Sequence, residues 1–232
     1  MAIGNRVFLR RKLPDLELLD QFRMLPTANV ADCMGRLCAL SSDIRRMTVH
    51  TGAMCGVALT VRARPGDNLM IHQAMNMAGP HDVIIVSNQG DRTHSLMGEI
   101  MYRYMADFKK VAGVVLDGPI RDIDAISQGH CPLYATGTTP GGPYKEGPGE
   151  INVPISVGNI AVEPGDIILG DADGVIVIPR KEAAALLPKA QANAAADAAK
   201  VAKSSTGTGD RSWVDRLLEQ KVVEFIDDCY TP

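Results

Sequence analysis

The sequence predicts a mixed α/β fold with a strand-rich second half, and three observations predict it. Continuous apolar runs at 83–87 (V-I-I-V-S) and 112–116 (A-G-V-V-L) have the composition of strands covered on both faces. Helix-like segments alternate with these runs, which argues for a sheet flanked by helices. Beyond residue 130 the apolar runs become short and closely spaced, with turns at Pro164–Gly165–Asp166 and Asp171–Ala172–Asp173–Gly174 between them.

Taken in order, residues 15–24 (D-L-E-L-L-D-Q-F-R-M) have helical spacing, and Thr27–Arg36 read as a second short helix. C-G-V-A-L-T-V-R-A (55–63) is a strand rich in β-branched residues, closed by Pro65–Gly66. Asn68–Ala78 is a Met-rich helix stopped by Gly79–Pro80, and its Met70, Met75 and Met77 read as core fillers. A helix over 93–107 separates the strands at 83–87 and 112–116, and another short helix begins near Asp122. T-G-T-T-P-G-G-P-Y-K-E-G-P-G-E (136–150) is a long Gly/Pro loop. Strands follow at 151–155, 160–162, 167–169 and 174–178. The tail carries an Ala-rich helix, Lys181–Lys203, and a second helix, Trp213–Ile226. The second helix places Trp213, Leu217, Leu218, Val222, Phe225 and Ile226 on one apolar stripe, and 204–209 reads as the hinge before it.

The balance of 24 basic and 27 acidic residues, with no basic stripe, makes nucleic acid a poor default partner. No apolar run approaches the roughly 20 residues that span a bilayer, so no membrane role is expected. The N-terminus has no apolar signal core. The five cysteines lack CxxC or zinc-like pairing, which suits reduced thiols in a cytoplasm; Cys33 reads as a small buried hydrophobe rather than a nucleophile. The loop 136–150 lacks G-K-[ST], so a Walker-type phosphate cradle is not supported. His50, His72, His81, His94 and His130 form no H-x-x-x-H or H-E-x-x-H pattern. Asp171–Ala172–Asp173–Gly174 lacks the further ligands of a calcium loop and reads as a tight turn. Asp67–Asn68 reads as a turn and helix cap.

Chemistry concentrates at two strand ends. G-V-V-L-D-G-P-I-R-D (113–122) leaves a buried strand through a Gly-Pro turn and ends on adjacent Arg121 and Asp122. Asp122 can cap the following helix; equally, a carboxylate there can ligate a hard divalent cation whose shell is completed by water. Asp117 can orient Arg121 or stabilise the turn. D-R-T-H-S-L-M-G-E-I-M (91–101) follows the strand at 83–87 and places Gly98 and Glu99 beside the amides of Ile100 and Met101. Two backbone donors near a helix start can hold a carboxylate, and Arg grips one with two parallel hydrogen bonds. Together these parts describe a pocket for a small 2-oxo acid bound to a metal. His94 lies near it, where it can serve structure and substrate shape or, as the alternative, assist proton transfer.

These stretches, with T-A-N-V-A-D-C-M-G, G-V-A-L-T-V, Asp67–Asn68, N-V-P-I and V-E-P-G-D-I-I-L-G-D-A-D-G-V-I-V-I-P, resemble the class II pyruvate aldolases. That family is typified by 4-hydroxy-4-methyl-2-oxoglutarate aldolase and shares a superfamily with the RraA-type inhibitors of ribonuclease E. The resemblance covers roughly 27–207 and implies an RraA-like domain over 1–207 with a helical extension at 208–232. The implied fold is the swivelling β/β/α type, layered sheets with flanking helices. The implied assembly is a trimer or dimer of trimers with sites between subunits.

The resemblance implies that Asp122 binds Mg²⁺ or Mn²⁺ directly and that Glu99 holds metal-bound water. Arg121 would bind the pyruvoyl group, and the amides of Ile100 and Met101, next to Gly98, the carboxylate. Asp197, in the Ala-rich helix, is the nearest match for an acid reaching the metal waters from a neighbouring subunit. Residues 100–120 number one more than the pattern the resemblance implies. Absorbed in the loop near 107–111, the extra residue moves neither site; absorbed inside the helix, it turns Glu99 away by about 100°. The implied activity is metal-dependent cleavage of 4-hydroxy-4-methyl-2-oxoglutarate, or a related 4-hydroxy-2-oxo acid, to pyruvate in aromatic-acid catabolism. Oxaloacetate decarboxylation would accompany it. The rival reading is a non-catalytic regulator that binds a ribonuclease or helicase.

Overall fold

The computed structural model describes residues 4–49 and 52–230. Its elements alternate through the first half: β1 (Asn5–Val7), α1 (Glu17–Arg23), α2 (Thr27–Asp32), β2 (Arg45–Arg46), β3 (Met54–Ala63), α3 (Leu69–Met77) and β4 (Asp82–Ser87). Then come α4 (Glu99–Arg103), a π-helical segment (Tyr104–Lys109), β5 (Gly113–Leu116), α5 (Ile123–Ser127) and β6 (Leu133–Ala135). The second half runs β7 (Gly149–Ile151), β8 (Ile155–Val157), β9 (Ile160–Val162), β10 (Ile167–Gly170), β11 (Val175–Ile178), α6 (Ala183–Ser205) and α7 (Ser212–Gln220). The mixed α/β reading holds.

β3 organises the sheet. One edge pairs parallel with β4, which continues parallel to β5 and β6. Its other edge is shared: β10 pairs antiparallel with Met54–Val57, and β7 pairs antiparallel with Val61–Ala63. Ten residues are long enough to serve both partners. Along β4, Val83 and Ile85 enter one core while Ile84 and Val86 enter another, the period of two that a doubly covered strand requires. α3, α4 and α5 cover the Ile84 face, and a third cluster joins β10 and β11 to Leu19, Phe22, Leu186 and Leu187. Met75 is buried in the first cluster and Met70 and Met77 pack against it.

Several expected elements are revised. The strand expected at 151–155 is two strands, because Asn152 adopts φ 57° and Pro154 has no N–H to give a ladder. β7 therefore stays in the large sheet, while β8 and β9 form a separate hairpin turned by Gly158 and Asn159, both at positive φ. The helix expected over 93–107 starts at Glu99, and the one expected over Thr27–Arg36 ends at Asp32, where Gly35 and Arg36 take positive φ. The strands β1, β2 and β6 are too short to carry a readable period.

The chain divides into two compact units, one through Ala194 and one from Ala195 onward. In the second unit, α6 runs out to Ser205, where Thr206 Oγ donates to the carbonyls of Ala202 and Lys203. The last helix stops at Gln220 rather than Ile226: Val223 N–H donates back to Leu218 O, and Val222 sits at φ 53°. Val222, Phe225 and Ile226 thus lie beyond the helix, all exposed, and the expected stripe is limited to its first turns. Among the described residues no helix is long and apolar enough to cross a membrane.

Candidate active site

Three loops are stitched together at the C-terminal ends of β4 and β5. Leu96 N–H donates to Pro119 O and Arg121 N–H to Met97 O, while Ile120 N–H donates to Gly137 O and Thr139 N–H to Ile120 O. Arg121 and Asp122 are thereby fixed against the start of α4. Open α/β sheets place their ligands at such strand ends.

Asp122 stands at the N-cap position of α5 in the left-handed conformation, φ 58° and ψ 39°, and makes no side-chain cap bond. Its backbone carbonyl starts the helix by accepting from Ala125 and Ile126. Its Oδ2 reaches across instead and accepts the N–H of Glu99 at 2.9 Å. Arg121 Nε lies 3.7 Å from that same Oδ2, with both side chains near half exposure. Gly98 makes the approach possible. A Cβ there would stand 2.3 Å from Asp122 Oδ2 and 3.0 Å from Arg121 Nε, so any larger residue would displace the pair.

Gly98, Ile100, Met101, Arg121 and Asp122 line one cavity of about 140 Å³. The N–H groups of Ile100 and Met101 belong to the first turn of α4, where donors have no acceptor within the helix. Glu99 is not brought in with them: its Oε1 accepts from Arg103 Nε at 3.3 Å, one turn along, and it does not line the cavity. Asp197 is exposed in the second unit. Glu99 stands in a regular α turn, and the helix widens into a π-helical turn only downstream of it, at 104–109.

The far wall of the cavity comes from residues that sequence reasoning did not assign to the site: Asn68, His72, Pro143 and Lys145. Asn68 is 2% exposed, and its Nδ2 donates to Leu96 O at 3.0 Å. Burial and the nearby Lys145 ammonium both push the His72 pKa down. The spacing from Asn68 to His72, one helical turn, could have flagged part of this wall. A loop such as 136–150 is where the sequence leads one to expect distal contacts, but which of its residues make them could not be read locally. Asp122 is the one acid among the described lining residues, which include two cations, Arg121 and Lys145.

Other candidates resolve into structural roles. Asp117 pairs with Arg92 at 3.1 Å rather than orienting Arg121. His94 is held in a fixed place: its Nδ1 bonds Asp91 Oδ2 at 2.9 Å and its ring lies 4.9 Å from that of Tyr144. Burial pushes the Asp91 carboxyl up, but bonds from His94 and Thr93 outweigh it and hold the group at about 2. Asp171 accepts from Thr27 N–H, Thr27 Oγ and Asp173 N–H, the tight turn expected in place of a calcium loop. Cys33 packs partly buried against the third core cluster. His50 lies outside the described residues.

The residues fit a hard divalent cation. Asp122 offers a partly exposed carboxylate in a cradle that a Cβ at residue 98 would fill. Among the described residues no group of three His, Cys, Asp or Glu could form a closed cage. One carboxylate with water completing the shell is the habit of Mg²⁺ and Mn²⁺ rather than zinc.

Comparison with known proteins shows which family the chain resembles. A family model described as RraA-like, Aldolase/RraA, matches residues 27–177. A protein of Halalkalibacterium halodurans, named provisionally as a 4-hydroxy-4-methyl-2-oxoglutarate aldolase, is 38% identical over 205 residues, 88% of this chain and 97% of its own. The 4-hydroxy-4-methyl-2-oxoglutarate aldolase of Thermus thermophilus is 34% identical over 113 residues, 49% of this chain and 68% of its own. The crystal structure of Streptomyces coelicolor RraAS2, an unusual member of the RNase ES inhibitor RraA family, superposes with a TM-score of 0.70. It is 26% identical, covering 78% of this chain and 93% of its own.

Proposed function

Because the chain belongs to the RraA-like, Aldolase/RraA family, we propose that it is a divalent-metal-dependent carbon–carbon lyase. Its substrate would be 4-hydroxy-4-methyl-2-oxoglutarate or a related 4-hydroxy-2-oxo acid, with oxaloacetate decarboxylation as a companion activity. The observation that carries this reading is the Asp122 carboxylate, held off its own helix and beside Arg121 in the Gly98 cradle. A binding surface for another protein has no need of that arrangement.

Asp122 would hold Mg²⁺ or Mn²⁺, which supplies Lewis-acid polarisation of the 2-oxo group when bound. Arg121 takes the pyruvoyl end, and the first-turn amides of Ile100 and Met101 take its carboxylate. The C4 hydroxyl gives its proton to a water in the site, which acts as the base, and the C3–C4 bond breaks. C4 leaves as a carbonyl compound, and the electron pair passes through C3 onto the C2 oxygen. Arg121 is placed to stabilise that oxygen where its charge develops. A proton then returns to C3 and gives pyruvate. Lys145, with His72 beside it, gives the far wall a cation for a second carboxylate, which favours a dicarboxylic substrate. In this reading Glu99 leaves Arg103 to hold water near Asp122.

Assembly fits the same reading. Ile100, Tyr104 and Phe108 form an exposed apolar row beside the cavity, the two rings 5.2 Å apart. A second subunit seated there, in a trimer or dimer of trimers, would close the site, and an acid such as Asp197 of that subunit could reach it.

The test is pyruvate release from 4-hydroxy-4-methyl-2-oxoglutarate and from oxaloacetate, each with Mg²⁺, with chelator, and with Asp122→Ala. Metal-dependent release lost in the variant supports the lyase. No release above the free-metal background would end it and leave the regulator reading, which the RraAS2 likeness favours; capture of a purified ribonuclease would then decide that case.

A further inference from the structure

Asp67 is 2% exposed, and its carboxylate is used entirely on the backbone. Oδ1 accepts the N–H of Leu69 at 2.9 Å, which shapes the entry to α3. Oδ2 accepts the N–H of Glu146 at 2.7 Å and that of Gly147 at 2.8 Å, across some eighty residues of chain. Those two amides directly follow Lys145. The residue before Lys145 is pinned as well: Tyr144 N–H donates to Gly66 O at 2.8 Å, and Asn68 N–H donates to Tyr144 O at 3.0 Å. The Tyr144 ring packs near His94, with the Arg64 guanidinium 5.4 Å from its centroid. Further back, Ser95 donates to Gly141 O from both its N–H and its hydroxyl. The Gly/Pro segment is thus a fastened strap, with Lys145 between two clamped neighbours.

We infer that Asp67 is a positioning residue for substrate selection, fixing the strap so that Lys145 faces Arg121 across the cavity at a set span. The inference rests on the lyase reading and adds what sets its substrate class: a 4-hydroxy-2-oxo acid with a second carboxylate at its far end. The chemistry requires a carboxylate at residue 67. An Asn there has one acceptor oxygen, and its NH₂ would face either the Leu69 amide or the pair at 146 and 147, donor against donor. Asp67 does not itself line the cavity, so its loss acts through residues it holds, and the effect on preference is assigned to Lys145.

The experiment measures kcat/KM for 4-hydroxy-4-methyl-2-oxoglutarate and for the monocarboxylic 4-hydroxy-2-oxopentanoate. It uses the full chain with Mg²⁺, as wild type, Asp67→Asn, Lys145→Met and the double variant. The preference for the dicarboxylic acid is expected to fall about tenfold in each single variant, as for one lost charged contact. The double variant should fall no further than Lys145→Met alone, since residues acting through one contact do not add. Additive losses, or an equal fall on both substrates with Asp67→Asn, would overturn the inference while leaving the lyase standing. A wild type that cleaves neither acid would overturn the lyase and this inference with it. Should Asp67→Asn fail to fold, Tyr144→Ala keeps the backbone bonds but removes the ring contacts with His94 and Arg64 that pack the strap beside Lys145. It is expected to lower the preference in the same direction; an unchanged preference would overturn the inference.

Discussion

Asp122 does not cap the helix that it begins; its Oδ2 accepts the N–H of Glu99 from the helix beside it. The left-handed backbone of Asp122 turns the side chain away from α5, and the absence of a Cβ at Gly98 leaves room for it. This contact, with the backbone bonds Leu96–Pro119 and Arg121–Met97, joins the loops that follow two strands.

The charge of Asp122, more than its shape, should carry activity. Asp122→Asn keeps an acceptor for Glu99 N–H and removes the negative charge. Turnover is expected to fall roughly 10²–10³-fold, the range for losing one electrostatic element of a site. Titration calorimetry with Mn²⁺ should show the matching loss of affinity, with thermal unfolding little changed.

Gly98→Ala tests the cradle. Gly98 has φ −133° and ψ −168°, extended backbone that any residue adopts, so the added methyl brings no conformational penalty. It brings a collision with Asp122 and Arg121, and a displacement near 1 Å costs about a hundredfold in rate. Steady-state turnover alongside a circular-dichroism melt separates that outcome from misfolding; normal activity would show that the pair is not held where the reaction needs it.

Glu99 and Arg103 give opposite expectations. If Glu99 holds water near the cation, Glu99→Gln lowers turnover about 10–100-fold, the usual cost of an outer-shell partner. Arg103→Ala breaks two exposed i,i+4 pairs, with Glu99 and with Asp107, each worth under about 0.5 kcal/mol. Equal rates for Glu99→Gln and wild type would leave Glu99 as a surface acid.

His72 gives a pH signature. Its folded pKa is lowered by burial and by Lys145, so the unfolded chain binds its proton more readily. Stability should therefore decline as pH falls through the unfolded value of about 6.5 toward the lower folded value. His72→Gln should flatten that part of the profile in urea titrations at successive pH values, and an unchanged slope would exclude His72 as its source.

The sequence by itself determined the mixed α/β class, because apolar runs long enough to be covered on both faces and their alternation with helical spacing are local features. It also brought Arg121 and Asp122 forward, since both stand just past such a strand, and Gly98 for the helix-start amides that follow it. It could not decide between a capping and a free Asp122. That choice depends on a positive φ and on the neighbouring loop, which are set by packing between segments more than twenty residues apart. Nor could it read Asn152 and Pro154 as a break that sends β7 and β8 into different sheets. The clearest case is Asp67. Its local signature is a turn, and Leu69 does complete one; but its other oxygen clamps amides at 146 and 147, and only folding brings that strap to the far wall of the cavity. Local pattern fixes which elements form, while long-range hydrogen bonds decide which side chains share a site.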